Sequence, residues 1–93
     1  MNVLVVVYEF RRSILGYEKF IDVLKSQDGW SRYMIAPCWL VKTSKSPDEL
    51  YQELAPHMLD GDRVLIMKAS KEYAGFMPLP AWEWLNGNLE TAQ

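Results

Sequence analysis

Ninety-three residues with ten basic and twelve acidic side chains suffice for one domain, close to the smallest size at which an apolar core holds a fold without metal or disulfide. The formal charge of −2 lacks the basic excess of an autonomous nucleic-acid binder, and the lone Cys38 excludes an intrachain disulfide, making a reducing, cytoplasmic setting the expectation. The charge is uneven: residues 1–45 carry seven Lys or Arg against four acids, and residues 46–93 carry three against eight, a division that suits self-association. Four tryptophans and five tyrosines are more aromatic bulk than so small an interior needs, so part of it is expected at an interface.

The unbroken run Asn2-Val3-Leu4-Val5-Val6-Val7-Tyr8 predicts a central strand buried on both faces. It is too short to cross a bilayer and has neither the basic leader nor the cleavage site of a secretion signal, so no membrane association is expected. Residues 9–13 read as a connection, and a helical period begins near Leu15, with Tyr17, Phe20, Ile21 and Leu24 on one face. Burying those four would contribute roughly 1.5–3 kcal/mol each. Ser26-Gln27-Asp28-Gly29 supplies the stop, Gly29 being able to take a positive φ.

Two short strands follow, residues 32–35 and 38–43, divided at Pro37 because proline removes a ladder hydrogen bond; one long bulged strand is the rival reading. Ser46-Pro47-Asp48-Glu49 is a helix start in which Ser46 caps, Pro47 takes the first position and Glu49 completes a capping box. Leu50 and Leu54 form the stripe of this second helix, which Pro56 ends near Leu54 or Ala55. Asp60-Gly61-Asp62 marks a turn before a last strand at residues 63–68, and Pro80 opens a short helix over 81–85 that Asn86-Gly87 closes, with 88–93 frayed.

The order strand, helix, two strands, helix, strand has a physical solution. It is a ferredoxin-like α+β domain, βαββαβ, with an antiparallel four-stranded sheet, two helices on one face and an aromatic C-terminal tail. The whole chain, 1–93, is read as one domain with its core in 1–71 and the tail 72–93 packing on the sheet or at a subunit interface. Two helices on one face leave the other face of the first strand uncovered, and a second subunit, the tail or both must shield it.

The segments Val3-Leu4-Val5-Val6-Val7-Tyr8-Glu9, Cys38-Trp39-Leu40-Val41-Lys42-Thr43 and Asp62-Arg63-Val64-Leu65-Ile66 resemble the small ferredoxin-like proteins related to the second CRISPR-associated adaptation protein. Ala74-Gly75-Phe76 and Pro78-Leu79-Pro80-Ala81-Trp82-Glu83-Trp84-Leu85 resemble, more closely, their small SinR-like bacterial relatives. The resemblance implies a dimeric subunit that is a metal-dependent nuclease in some relatives and a nucleic-acid adaptor in others. The nuclease-like members carry an aspartate after the tyrosine that ends the first strand; this chain has Glu9 there, with a carboxylate displaced by about one bond length.

Glu9 is the candidate catalytic residue and metal ligand, paired with its copy from a second subunit around Mg²⁺ or Mn²⁺; no cofactor is required otherwise. The plainer alternative is an ion pair between Glu9 and a nearby arginine. Arg11, Arg12, Arg32, Lys42 and Lys45 are candidate phosphate contacts for RNA or DNA, with Tyr8, Tyr33 and Trp39 available for stacking if they are not core. Phe76, Trp82, Trp84 and Leu85 are the candidate interface residues. Cys38 reads as a buried, inert thiol, and His57 lacks the companions of a zinc site. The resulting expectation is a homodimeric interaction or nucleic-acid-associated accessory protein without robust catalysis. A magnesium- or manganese-dependent endonuclease built on Glu9 is the first alternative, and a subunit that binds only another protein is the second.

Overall fold

The computed structural model describes residues 1–31 and 37–91. In chain order the elements are β1 (Asn2–Glu9), α1 (Glu18–Lys25), β2 (Gly29–Ser31), β3 (Cys38–Thr43), α2 (Pro47–Leu54), β4 (Arg63–Lys68) and α3 (Leu79–Thr91). The strands form one antiparallel sheet in the order β2-β3-β1-β4, so the apolar opening run is the inner strand that the rest pairs around. With α1 and α2 on one face this is the ferredoxin-like α+β arrangement.

Alternation along β1 divides the interior in two. Leu4, Val6 and Tyr8 point toward α1 and α2, where they meet Phe20, Leu24, Leu50 and Leu54 in the larger core. Val3 and, in part, Val5 point the other way, and with Leu40 they receive Leu85 and Leu89 of α3. The expectation that β1 is covered on both faces therefore holds over its first half only: Val7 is 39% exposed. One terminal helix covers about half of a sheet face.

The first helix is built in two pieces. Ile14–Tyr17 is a 3-10 turn, and the α-helix starts only at Glu18, since the Tyr17 backbone (φ −118°, ψ 26°) leaves helical geometry while its ring stacks on Phe10 at 3.7 Å. Tyr17, Phe20 and Leu24 are nonetheless the buried stripe, with Ile21 partly buried beside them. Gly29 does not end the helix with a positive φ. It opens β2, where an added Cβ would lie 3.4 Å from Lys42 Cβ and 3.7 Å from the Trp84 ring. The strand expected at 32–35 lies outside the described residues.

Pro37 stands just ahead of β3, where its missing N–H takes nothing from the ladder and its carbonyl accepts the Tyr8 amide at 3.2 Å. Ser46 and Glu49 form the reciprocal capping box, Glu49 N–H donating to Ser46 Oγ at 3.1 Å and Ser46 N–H to Glu49 Oε1 at 3.0 Å. The α-helix ends at Leu54, and Pro56 lies in a 3-10 turn, Ala55–His57.

The last helix corrects the reading of a short 81–85 segment followed by frayed chain. It continues through Asn86 and Gly87 to Thr91, because Leu85 and Leu89, one turn apart, both bury against the sheet, and Asn88 Nδ2 donates to the Trp84 carbonyl at 2.7 Å. Tertiary burial here outweighs the cost of about 1 kcal/mol for glycine inside a helix.

Replacing Ser46 by alanine is expected to lower stability by about 1 kcal/mol without changing the fold, since it removes one capping acceptor and leaves Glu49 N–H without it. Urea unfolding followed by circular dichroism checks this; an unchanged midpoint would mean the cap contributes nothing.

Candidate functional site

Antiparallel pairing brings the end of β1 and the beginning of β4 together. Glu9 is the register partner of Arg63, and Arg63 Nε lies 3.8 Å from Glu9 Oε1, both side chains being more than 70% exposed. This pair is long and wet, so it contributes little to stability. The connection that leaves β1 adds Arg11 and Arg12, both exposed, giving one end of the sheet three arginines from two strand termini.

Asp62 fixes this end. Its Oδ1 accepts the Arg11 amide at 2.9 Å and the Tyr17 hydroxyl at 2.8 Å, and its Oδ2 accepts the Leu59 amide at 2.8 Å. The Asp62 amide returns a bond to the Leu59 carbonyl at 3.0 Å, closing the turn around Gly61, whose φ of +87° glycine adopts without strain. A Cβ on Gly61 would stand 2.3 Å from Arg11 Cδ, so any other residue here would also displace the Arg11 side chain. Asp62 thus ties the loop after β1, Tyr17 at the end of the first helical piece and the loop before β4 into one unit, and the Arg11 side chain passes close to Gly61.

The charges follow the geometry. Partial burial works against an ionised Asp62, but the amides of Arg11 and Leu59, the Tyr17 hydroxyl and the Arg12 charge together outweigh it and hold its pKa below the usual carboxylate value. Tyr17 is shifted upward by burial first and then by its bond to the Asp62 carboxylate. Burial also raises the pKa of Cys38, which leaves it a poorer nucleophile than a free thiol.

The candidate residues from the sequence separate on this frame. Arg11 and Arg12 lie together beside Glu9. Lys42 and Lys45 lie at the opposite end: Lys42 is the register partner of Val3 and Gly29, and the Lys45 carbonyl accepts Asn2 Nδ2, so the length of β1, roughly 23 Å at 3.3 Å per residue, stands between the two groups. Lys45 is also engaged by Glu53 and by Gln27 Oε1. Arg32 and Tyr33 lie outside the described residues. Tyr8 and Trp39 are core, the Trp39 indole donating to the Tyr8 hydroxyl at 3.1 Å, so neither offers a stacking face. Among the described residues no group of three His, Cys, Asp or Glu side chains is placed to hold a metal ion, and the charged group set beside Glu9 is Arg63.

The four interface candidates divide as well. Leu85 is buried on its own sheet, and Trp82 and Trp84 are half-buried around it, whereas Phe76 is 96% exposed. Tyr73 stacks on Trp82 and its hydroxyl donates to Asn86, which seats the segment before α3. Leu79, at the start of α3, is exposed with Phe76, and further exposed apolar side chains, Val7, Leu65 (55% exposed) and Met67 (49%), lie on the sheet face that α3 leaves open. Sequence reading missed these three and Arg63. A compact run such as Arg63-Val64-Leu65-Ile66-Met67-Lys68 looks wholly buried, and its position at the sheet edge is a property of the strand order.

No family model, curated protein or solved structure matches the chain. Fold and site define the class: a ferredoxin-like α+β domain with an arginine-rich strand end and a half-covered sheet. No helix among the described residues is long and apolar enough to cross a membrane.

Since the folded-state pKa of Asp62 is depressed, its contribution to stability is complete above about pH 4, the unfolded carboxylate value, and is lost as pH falls through the lower folded value. The Asp62→Asn variant is therefore expected to be less stable than the parent at pH 7, with the difference between their urea midpoints shrinking toward pH 3. A difference independent of pH would show that charge at Asp62 has no part in holding the loops.

Proposed function

We propose that the chain is a homodimeric accessory protein that acts by binding, with its arginine-bearing strand end directed at nucleic-acid phosphates. The observation that carries the reading is the apolar strip Val7, Leu65 and Met67, left in water on a sheet whose other face packs against α1 and α2. Val7 lies on the inner strand and Leu65 and Met67 on the edge strand beside it, and adjoining exposed apolar side chains on one sheet face suit a partner that covers them. Arg11, Arg12 and Arg63 support the second half of the reading: three exposed guanidiniums on a rigid strand end suit phosphate oxygens, and the Asp62 turn fixes where the first two begin. A divalent-metal nuclease would require carboxylates from two subunits, because within one subunit Glu9 faces Arg63.

Two measurements test the halves separately. Sedimentation of the full chain over a range of concentrations is expected to give a reversible dimer; a monomer throughout would remove the self-association and leave a different protein as the partner. Fluorescence anisotropy with labelled single-stranded RNA and DNA is expected to show binding that weakens with salt, and the Arg11→Ala/Arg12→Ala variant should bind more weakly, with a shallower salt slope by about 0.7 per lost phosphate contact. Binding that survives loss of both arginines, or ignores salt, would rule out this surface. Equal cleavage by the parent and Glu9→Gln chains in magnesium would exclude the metal alternative.

A further inference from the structure

We propose that the cavity enclosed by the middle of the sheet, α3 and the chain leaving β4 binds a small fused-ring aromatic molecule that carries a cationic amine. The proposal goes beyond the self-association and phosphate reading above and depends on neither.

The floor of the cavity is one cross-strand row. Leu40, Val5 and Met67 are successive register partners on β3, β1 and β4, and alternation turns all three toward the α3 side of the sheet. Leu85 of α3, packed with Leu40, makes one wall. The chain leaving β4 makes the other, and it is tied down at both ends. At the first, the Ala69 amide donates to the Val3 carbonyl at 2.8 Å. At the second, Tyr73 stacks on Trp82 with ring centroids 5.9 Å apart and donates its hydroxyl to Asn86 Oδ1. Between them Ser70 Oγ accepts the Glu72 amide at 3.2 Å. The wall therefore stands before any ligand arrives, which lowers the ordering cost of binding.

Size and lining set the ligand class. The cavity volume is about 270 Å³. An apolar cavity of roughly 150 Å³ holds one benzene, and pockets for drug-sized ligands start near about 300 Å³, so two fused rings suit this one. Val5, Leu40, Met67 and Leu85 offer only carbon and sulfur to the body of the ligand, while the polar groups lie along the loop wall. Lys68 projects by alternation to the α1–α2 side with Val64 and Ile66, so its main chain borders the cavity, and Lys71 lies outside the lining. Glu72 is the one acidic residue in that lining, and no ion pair engages it among the described residues. A cation above an apolar floor is the complement of this arrangement. Rings that displace water from the floor supply most of the affinity, and the exposed carboxylate selects the amine over an anionic head group.

Three molecules with the same ring system and different charge test this: tryptamine, indole and indoleacetate, each titrated into the isotope-labelled full chain and followed by amide chemical shifts. Tryptamine is expected to saturate below about 1 mM with its largest shifts at Leu40, Ala69 and Leu85, indole to bind about two- to fivefold more weakly, and indoleacetate more weakly still. Glu72→Lys, at an exposed position, is expected to reverse the order of the two charged molecules and leave indole unchanged. Ala69→Phe adds a ring where the Ala69 side chain packs with the α3 cluster, and is expected to abolish binding of all three. Should that crowding unfold the chain, the Glu72→Lys arm decides alone. Shifts that stay linear to about 10 mM, a folded Ala69→Phe chain that binds as the parent does, or an order of affinities untouched by Glu72→Lys would each overturn the proposal.

Discussion

One strand imposes most of what this molecule is. β1 lies between β3 and β4 with apolar side chains on both faces, so every element that packs on the sheet is answering the need to keep Val3 through Tyr8 from water. The α1–α2 layer answers it completely on one side, where aromatic rings from β1 and the first helical region interlock: Tyr8 on Phe10, Phe10 on Tyr17, and Phe20 edge-on to both Tyr8 and Phe10. On the other side a single helix of thirteen residues reaches across half of the face and stops. The sheet with its one terminal helix therefore leaves Val7, Leu65 and Met67 in water on this face.

The opposite demand operates at the strand end. There the chain must turn twice, from β1 into the first helix and from α2 into β4, with backbone groups facing outward in both turns. One carboxylate satisfies donors from both: Asp62 accepts from Arg11, Tyr17 and Leu59, and Gly61 leaves the space through which the Arg11 side chain runs. This local rigidity is what would make an arginine-rich loop useful, because phosphate contacts gain from groups whose position is set before binding. The same end presents Glu9 beside Arg63, so that any chemistry proposed for Glu9 must contend with a guanidinium already at hand.

The two features are related through strand direction. Antiparallel pairing places the charged rim Glu9 and Arg63 at the end of the same strip that exposes Val7, Leu65 and Met67.

What local physics dictates was legible in the residues alone. The β-branched opening run required an inner strand, Ser46 to Glu49 required a helix start, Pro56 required its end, and Asp60-Gly61-Asp62 required a turn; each depends on contacts within a few residues, and the structure has each of them. What depends on strand order was not legible. Whether Leu65 and Met67 are core or surface, whether Lys42 and Lys45 join Arg11 and Arg12 or lie a strand's length away, and whether the helix passes Gly87 are decided by which distant segments come to lie beside them. A side chain's type sets how strongly it avoids water, whereas only the assembled sheet sets how much water reaches it.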